Sequence, residues 1–519
     1  MGKTSPQAEK ENTNGFVDAE DKKEYKMKVL LVYPEFPDTF WSFRHALKFI
    51  RKKSSSPPLG LITIAALLPY HWQVRLVDVN VQPLSEKQIA WADMVWISAM
   101  VVQRQSTHDI IKRCKRSGKI VVVGGPLFLE EWEQFPEVDH FILNEGELTL
   151  PDFIRDLANG NPKRLYQKTK YAELHESPLP RWELVNFRKY DSLSIQYSRG
   201  CPFDCDFCNI TAMLGHRPRT KTASQIIAEL DSMYAMGWRR NIFFVDDNFI
   251  GDKRQLKQEI LPALIEWRKG KSGCSFSTQT SINLSDDPEL MDMMVLAGFT
   301  QVFVGIETTN EVSLEECNKN QNRNRNLVES VHKMLEKGLQ VMGGFIVGFD
   351  NDSQDVFDTQ IDFIQRSGIV TAMVGMLQAI GGTRLHQRME NEGRILQNMS
   401  GDNADGTTNI LPRMGMDVLK TGYSKIMTEL YGLDKFYARI KTCLALYLPR
   451  SAPVHLTWDE IHAFLMSIWS LGIVGSERKQ YWNLFAWVLR KFPKKLPLAI
   501  TFTIYGYHFR TVNQNHGLV

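Results

Sequence analysis

Short apolar runs recur along this chain, separated by segments long enough to hold a helix. That alternation restricts the fold more than any other feature. Five runs come before residue 150: KVLLVYP (28–34), VRLVDVN (74–80), MVWISAM (94–100), KIVVVGGP (119–126) and HFILNEGE (140–147). Strands that are apolar on both faces belong to parallel sheets covered by helices on each side. Residues 27–160 are therefore expected to form a doubly wound, flavodoxin-like α/β domain, with any ligand beyond the carboxyl ends of its strands. Small residues gather at those ends, at Ser98-Ala99-Met100, Gly124-Gly125-Pro126 and Glu145-Gly146, where they let the backbone approach a large flat or phosphate-bearing ligand. The alternative for the same glycines is that they only turn the chain. No G-x-G-x-x-G follows the first strand, which argues against a nicotinamide site. Pro57 and Pro58 interrupt regular structure ahead of a helix that begins near Leu59-Gly60.

A linker rich in proline and charge (161–190) leads into a second alternation. It starts with LSIQYSRGC and continues through NIFFVDDNF (241–249), CSFSTQTSI (274–282), QVFVGIET (301–308), QVMGGFIVGF (340–349) and TAMVGMLQAI (371–380). Six strand–helix units over 191–390 predict a complete or partial (β/α)₆ barrel with its site at the carboxyl ends of the strands. Those ends carry Asp246-Asp247, Gln279, Glu307 and Gly348. Residues 391–519 read as a mainly helical region covering the substrate.

The loop after the first barrel strand, SRGCPFDCDFCNI (198–210), holds three of the chain's seven cysteines: Cys201, Cys205 and Cys208. The others, Cys114, Cys274, Cys317 and Cys443, stand alone, and an odd total does not suit a disulfide framework. Three neighbouring thiolates can share one metal centre and leave it a ligand short, which is where a substrate or cofactor can enter. With His216 they could instead close an inert Cys₃His zinc site, but the C-x₃-C-x₂-C spacing lacks the two separated ligand pairs usual in zinc modules.

The stretch Cys201-x₃-Cys205-Asp206-Phe207-Cys208 resembles the signature of the radical S-adenosylmethionine (SAM) superfamily, and with the barrel the likeness extends over 190–385. The doubly wound domain ahead of it, with its PPLGL and GGP, resembles the cobalamin-binding domain of the B12-dependent branch. Residues 390–519, with NILPRM and IYGYHFR, resemble the C-terminal extension of the hopanoid C-2 methylase-like group. The resemblance implies that the three cysteines bind three irons of a [4Fe–4S] cluster and that SAM chelates the fourth. Cleavage of SAM would then give a radical that removes hydrogen from an unactivated carbon. It further implies that Phe207 packs near adenine, that Asp246 and Asp247 accept from the SAM ammonium, and that Gln279 and Glu307 reach the ribose or methionyl group. Ile346 to Gly348 would offer backbone to the adenine. Cobalamin would lie against Pro58, Leu59, Gly60, Ser98, Met100, Gly124, Gly125, Pro126, Glu145 and Gly146. The Asp-x-His-x-x-Gly of mutases is missing from YPEFPDTFWSFRHALKF, and His45 has the wrong spacing, so cobalt is expected to have no protein histidine beneath it.

The rest of the chain narrows the partners. With 43% hydrophobic and 23% charged residues and a formal charge of +3, nothing calls for nucleic acid. No run reaches the ~18 apolar residues of a membrane span. Residues 1–26 read as a disordered polar leader without the apolar core of a signal peptide, and the free thiols fit the cytoplasm. YWNLFAWVLRKFPKKLPLAI sets Trp482, Leu484, Phe485, Trp487, Val488 and Leu489 beside Arg490, Lys491, Lys494 and Lys495. That mix reads either as an interfacial membrane helix or as a core helix with cations at its carboxyl end. The leading expectation is a cobalamin-dependent C-methyltransferase acting on a hopanoid-like or other lipid substrate, reduced by a flavodoxin or ferredoxin. Cyclisation, ring rearrangement or hydration with the same cofactors is the alternative, and a non-catalytic metal-binding module is a third class.

Overall fold

The computed structural model describes residues 26–449 and 457–518, so the expected leader lies outside the described residues except for Lys26. Strands β1 (Lys28–Tyr33), β2 (Gln73–Asp78), β3 (Met94–Ser98), β4 (Ile120–Gly124), β5 (His140–Ile142) and β6 (Leu165–Tyr166) form a parallel sheet in the order β2-β1-β3-β4-β5-β6. Alternate residues feed two cores. Leu30, Val32, Val95, Ile97, Val121 and Val123 fill one face. Val29, Leu31, Met94, Trp96 and Val122 fill the other. Period-two alternation with both faces apolar is why these strands read as unbroken hydrophobic runs. The order reverses at β1, which pairs with both β2 and β3, and opens a crevice at the strands' carboxyl ends. The segment expected to be a linker contributes β6, a two-residue edge strand too short to show a pattern.

The second sheet runs β14-β13-β12-β11-β10-β7, all parallel, from β7 (Leu193–Ile195), β10 (Asn241–Phe244), β11 (Ser275–Thr280), β12 (Phe299–Glu307), β13 (Gln340–Val347) and β14 (Ala372–Met376). Each strand lies beside its predecessor, the winding of a barrel, here a partial one with six strands. The short pair β8 (Ser198–Arg199) and β9 (Arg219–Thr220) sits at its mouth.

Both edges of the partial barrel are covered by other parts of the chain. Ser54 and Ser55 run beside the approach to β7, where Ser192 donates its N–H to the Ser55 carbonyl at 2.8 Å. On the far side, helix α1 (Met416–Tyr431) presents two buried hydroxyls to β14. Tyr431 donates to the Ala372 carbonyl at 2.6 Å and Tyr423 to that of Val374 at 3.0 Å. Edge carbonyls satisfied in this way do not seek another strand.

Helices α2 (Leu433–Leu446), α3 (Trp458–Ser467), α4 (Arg478–Lys491) and α5 (Leu496–Asn515) complete the mainly helical C-terminal region. Residues that follow β1 are trapped between α5 and the barrel. Phe40 stacks on Phe509 at 4.1 Å, and Trp41 packs edge-on against Phe303 while its indole N–H meets Met373 Sδ at 2.9 Å. Among the described residues no helix is long and apolar enough to cross a membrane.

Candidate active site

The cysteine loop leaves the barrel after β7 and is stapled at its base by the β8–β9 pair, Ser198 to Thr220 and Arg199 to Arg219. Gly200 makes the first turn at φ +96°, and a Cβ there would lie 2.8 Å from the carbonyl oxygens of Gly215 and Arg217, so only glycine fits. Asp246, fully buried, accepts from Tyr197 N–H at 3.2 Å, from the Ser198 hydroxyl at 2.5 Å and from Ser198 N–H. Burial pushes its pKa up to about 7, against the pull of those hydrogen bonds. Asp247, beyond the end of β10, has different partners. Burial raises its pKa to about 6, the Gly200 N–H donates to it, and its Oδ2 is buried without a protein partner.

The loop is fastened on two further sides. Arg384, beyond β14, bonds Asp204 at 2.5 Å and Asp206 at 2.7 Å. Asp206 N–H donates to the Cys317 carbonyl at 3.0 Å. A cavity of about 240 Å³ opens beside Cys205 and Cys208 and is bordered by Thr383 and Arg384. All three thiols are pushed up by burial, Cys208 to about 12. One cation opposes this. Lys319, with its side chain 11% exposed, places Nζ 2.6 Å from Glu307 Oε1 and 5.7 Å from the centre of the Phe207 ring. Burial works against its charge, yet Glu307 and the thiols outweigh that and hold it above the ordinary lysine value.

Among the described residues no three His, Cys, Asp or Glu side chains converge on a single ion. His216 lies on the rim of the cavity beside Cys205 and Cys208, its side chain 62% exposed and 3.9 Å from Asp204, and is not gathered with the thiols as a ligand. A cluster asks for something else: three separate thiolates, each for its own iron. The loop supplies three free cysteines with a buried ammonium to offset their charge. The unpartnered Asp247 oxygen fits a cationic donor such as an ammonium group.

The remaining expected residues divide. Gln279 is half-buried on the same face of the sheet as Asp247 and pairs in register with Phe303. Phe207 and Ile346 border a small apolar cluster with Phe349 and Leu385, and Gly348 turns at φ +102°. Glu307, after a register shift in β12 and at φ +64°, is committed to Lys319 instead of lying open to a ribose. Asp246 likewise braces the loop, because Tyr197 and Ser198 take up its carboxylate oxygens.

Across the crevice, the strand-end loops of the first sheet face the barrel mouth. Glu145, expected at a cobalamin, instead binds Arg199 at 3.0 Å and Arg219 at 2.9 Å, while Glu147 binds Arg199 at 2.8 Å. Burial of these charges is tolerable because each is paired. Arg104 donates to Glu131 at 2.7 Å and to the Met399 carbonyl at 3.3 Å, joining the post-β14 loop to the first domain. Between these ties lie small or exposed residues. Ser98 and Leu59 are half-buried, Gly60 is exposed with nothing within 4 Å of a Cβ, and Met100 is 46% exposed. Gly124 and Gly146 are packed close, where a Cβ would meet Ile142 O at 2.8 Å and Ile64 Cδ1 at 2.2 Å. Gly125 turns at φ +94°, ahead of the helix that Pro126 opens, and Pro58 is buried. His45 is taken by Asp38, 2.7 Å away. Lys319, Arg199, Arg219 and Arg384 were not foreseen, because two-residue strands, a helix start and a loop carry no repeating pattern.

Two mouths facing each other, one with a three-cysteine loop and one lined by small residues, define a two-cofactor radical enzyme. Residues 195–364 match the sequence profile of the radical SAM superfamily, and residues 383–517 that of a domain of unknown function, DUF4070. Over 494 residues the chain is 39% identical to an uncharacterized methyltransferase of Synechocystis, spanning 93% of this chain and 91% of that one. It is 32% identical over 471 residues to the hopanoid C-2 methylase of Rhodopseudomonas palustris, spanning 88% of both. Its fold is similar to a solved cobalamin-dependent SAM radical enzyme, OxsB, holding aqua-cobalamin and SAM, with a TM-score of 0.60, 16% identity and coverage of 95% and 82%. The radical SAM methyltransferase TsrM of Kitasatospora setae follows at 0.58 and 15%, covering 90% of this chain and all of that one. The protein belongs to the family of radical SAM methyltransferases that includes the Synechocystis and Rhodopseudomonas relatives. The radical SAM domain works with a [4Fe–4S] cluster and SAM, and OxsB, which shares the fold, holds cobalamin as well.

Proposed function

We propose that this enzyme transfers a methyl group to an unactivated carbon of an apolar, hopanoid- or other lipid-like substrate. The observation that carries the substrate class is the relationship to the hopanoid C-2 methylase, which includes the C-terminal region over the barrel. When bound, the cluster and SAM supply hydrogen abstraction, and cobalamin supplies the methyl group. The chain's own residues prepare the site. Cys201, Cys205 and Cys208 hold the iron, and Lys319 offsets the thiolates' charge. Asp247 accepts from the SAM ammonium through its free oxygen, with Gln279 beside it on the inner face. Phe207 and Ile346 supply an apolar wall for the adenine.

Cobalamin is proposed to rest on Ser98, Met100, Gly124 and Gly125, with Pro58 to Gly60 at its side. Reduction requires a partner such as a flavodoxin or ferredoxin.

The test is mass spectrometry of total lipids from cells with and without the gene, fed methionine labelled in its methyl group. A lipid gaining one labelled methyl is expected. Turnover that yields 5′-deoxyadenosine without S-adenosylhomocysteine would point to cyclisation or hydration and overturn methyl transfer.

A further inference from the structure

The outward face of α3 and of its π-helical continuation Ile468–Ile473 is apolar. Between 458 and 474 every exposed residue is Trp, Ile, Leu, Met or Val. Trp458 is 85% exposed, Leu465 59%, Trp469 60% and Val474 65%, with Ile461 and Ile473 completing the row. The inward face is apolar too. Ala463 and Leu471 are buried, and Ser467 Oγ meets Tyr481 Oη at 2.9 Å. Asp459, Glu460 and His462 interrupt this only at the first turns, and a contiguous exposed apolar patch of this kind marks an interaction surface.

Charge tells which surface it meets. From 461 to 519 the one side-chain carboxylate is Glu477, against seven lysines and arginines. Glu477 is buried and consumed by Tyr437 Oη at 2.6 Å and Arg510 at 2.5 Å. Trp482, 42% exposed, extends the patch onto α4 by donating its indole N–H to the Gly472 carbonyl at 2.8 Å, and that helix ends in the exposed Arg490 and Lys491. A two-fold pairing of copies through this face would set the same cations against each other. Exposed tryptophans on a face continued by the exposed Arg490, Lys491 and Lys494 match the boundary of an anionic bilayer.

We infer that this face docks on a membrane surface bearing anionic headgroups. The helix lies on the bilayer, since none among the described residues is built to cross it. Asp459, at the start of α3, bonds Arg240 just ahead of β10 and Lys52 at 3.4 Å, which puts the patch at the barrel's amino-terminal end. Docking there leaves the cysteine loop uncovered.

Sedimentation of the full chain with phosphatidylglycerol–phosphatidylcholine vesicles tests this. Binding is expected, with little on pure phosphatidylcholine, and a fall of about tenfold or more in about 0.5 M salt. Trp458→Ser with Trp469→Ser should cost about tenfold or more while leaving SAM cleavage and the melting temperature unchanged, because both side chains face out. Lys491→Glu with Lys494→Glu gives a second route to the same loss without touching the apolar row. Absence of vesicle binding by the unaltered enzyme would overturn the inference. So would a concentration-dependent dimer that the tryptophan variant abolishes. A water-soluble methyl acceptor would refute the lipid substrate and leave this binding untouched.

Discussion

The two mouths that face each other are built from opposite materials. The barrel mouth is crowded with side chains that carry charge: three thiols, the Lys319–Glu307 pair, two aspartates and Arg384. The mouth of the first sheet offers turns and small residues, and its charged groups, Glu145 and Glu147, are spent on holding the barrel. One site is specified by groups that bind and the other by groups kept out of the way. Substitutions should therefore fail differently in the two places, by lost ligands and unpaired charge in the barrel and by obstruction in the first domain.

The largest effect is expected from Cys205→Ala, which should leave anaerobically reconstituted protein without its four-iron cluster and reduce SAM cleavage to background. His216→Ala is the contrast: iron content should stay as in the unaltered protein, and zinc bound in its place would break the assignment. Next comes Lys319→Met. It strands the buried Glu307, and removing one partner of a buried pair costs about 3–5 kcal/mol. Adding Glu307→Gln should recover most of that in urea unfolding of the cluster-free protein, whereas a single variant within about 1 kcal/mol of the parent would deny the pair its role.

On the other side, Gly125→Val puts a Cβ 2.7 Å from Ser98 Oγ at φ +94°. Strain of about 1–3 kcal/mol should weaken cobalamin binding roughly tenfold to a hundredfold, with iron content unchanged. Parallel loss of iron and cobalamin would show that the mouths are not separable in this way.

The smallest effect concerns pH. Asp246 is raised by burial from 3.8 to about 7 in the fold. The folded state therefore holds its proton more tightly than the unfolded chain does. The stability this brings is full below about pH 4 and is lost as pH rises to about 7. Asp246→Asn should flatten that part of the melting-temperature profile, by about 2–4 °C for each kcal/mol removed. An unchanged slope would place the titration elsewhere.

What the sequence disclosed follows the same division. Strands of both sheets were legible because fully apolar runs have few other uses, and the cysteine spacing was legible because ligands must sit close in the chain. Asp246 and Asp247 look like one motif, yet the first is taken up by Tyr197 and Ser198 while the second keeps an oxygen without a partner. Lys319 was hidden because its partner lies twelve residues away across a loop, where no periodicity operates. YWNLFAWVLRKFPKKLPLAI leaves two readings, an interfacial helix and a core helix, and the burial of its side chains fits the second. Tyr481, Leu484 and Val488 are buried and Trp487 is half-buried, so α4 is largely a core helix. The exposed row lies on α3 and its continuation, where apolar residues stand on both the buried and the exposed sides after the first turn.

The path of residues 38–56 reaches further than packing. After β1 the chain leaves its own sheet, stacks Phe40 under α5, sets Trp41 against Phe303, borders β7 with Ser55, and only then returns to build the helix Leu59–Leu67. The cobalamin domain thus carries part of the barrel's wall within it. An ancestor could not have exchanged that domain for another, nor can a protein engineer, without taking away a piece of the enzyme it was meant to serve.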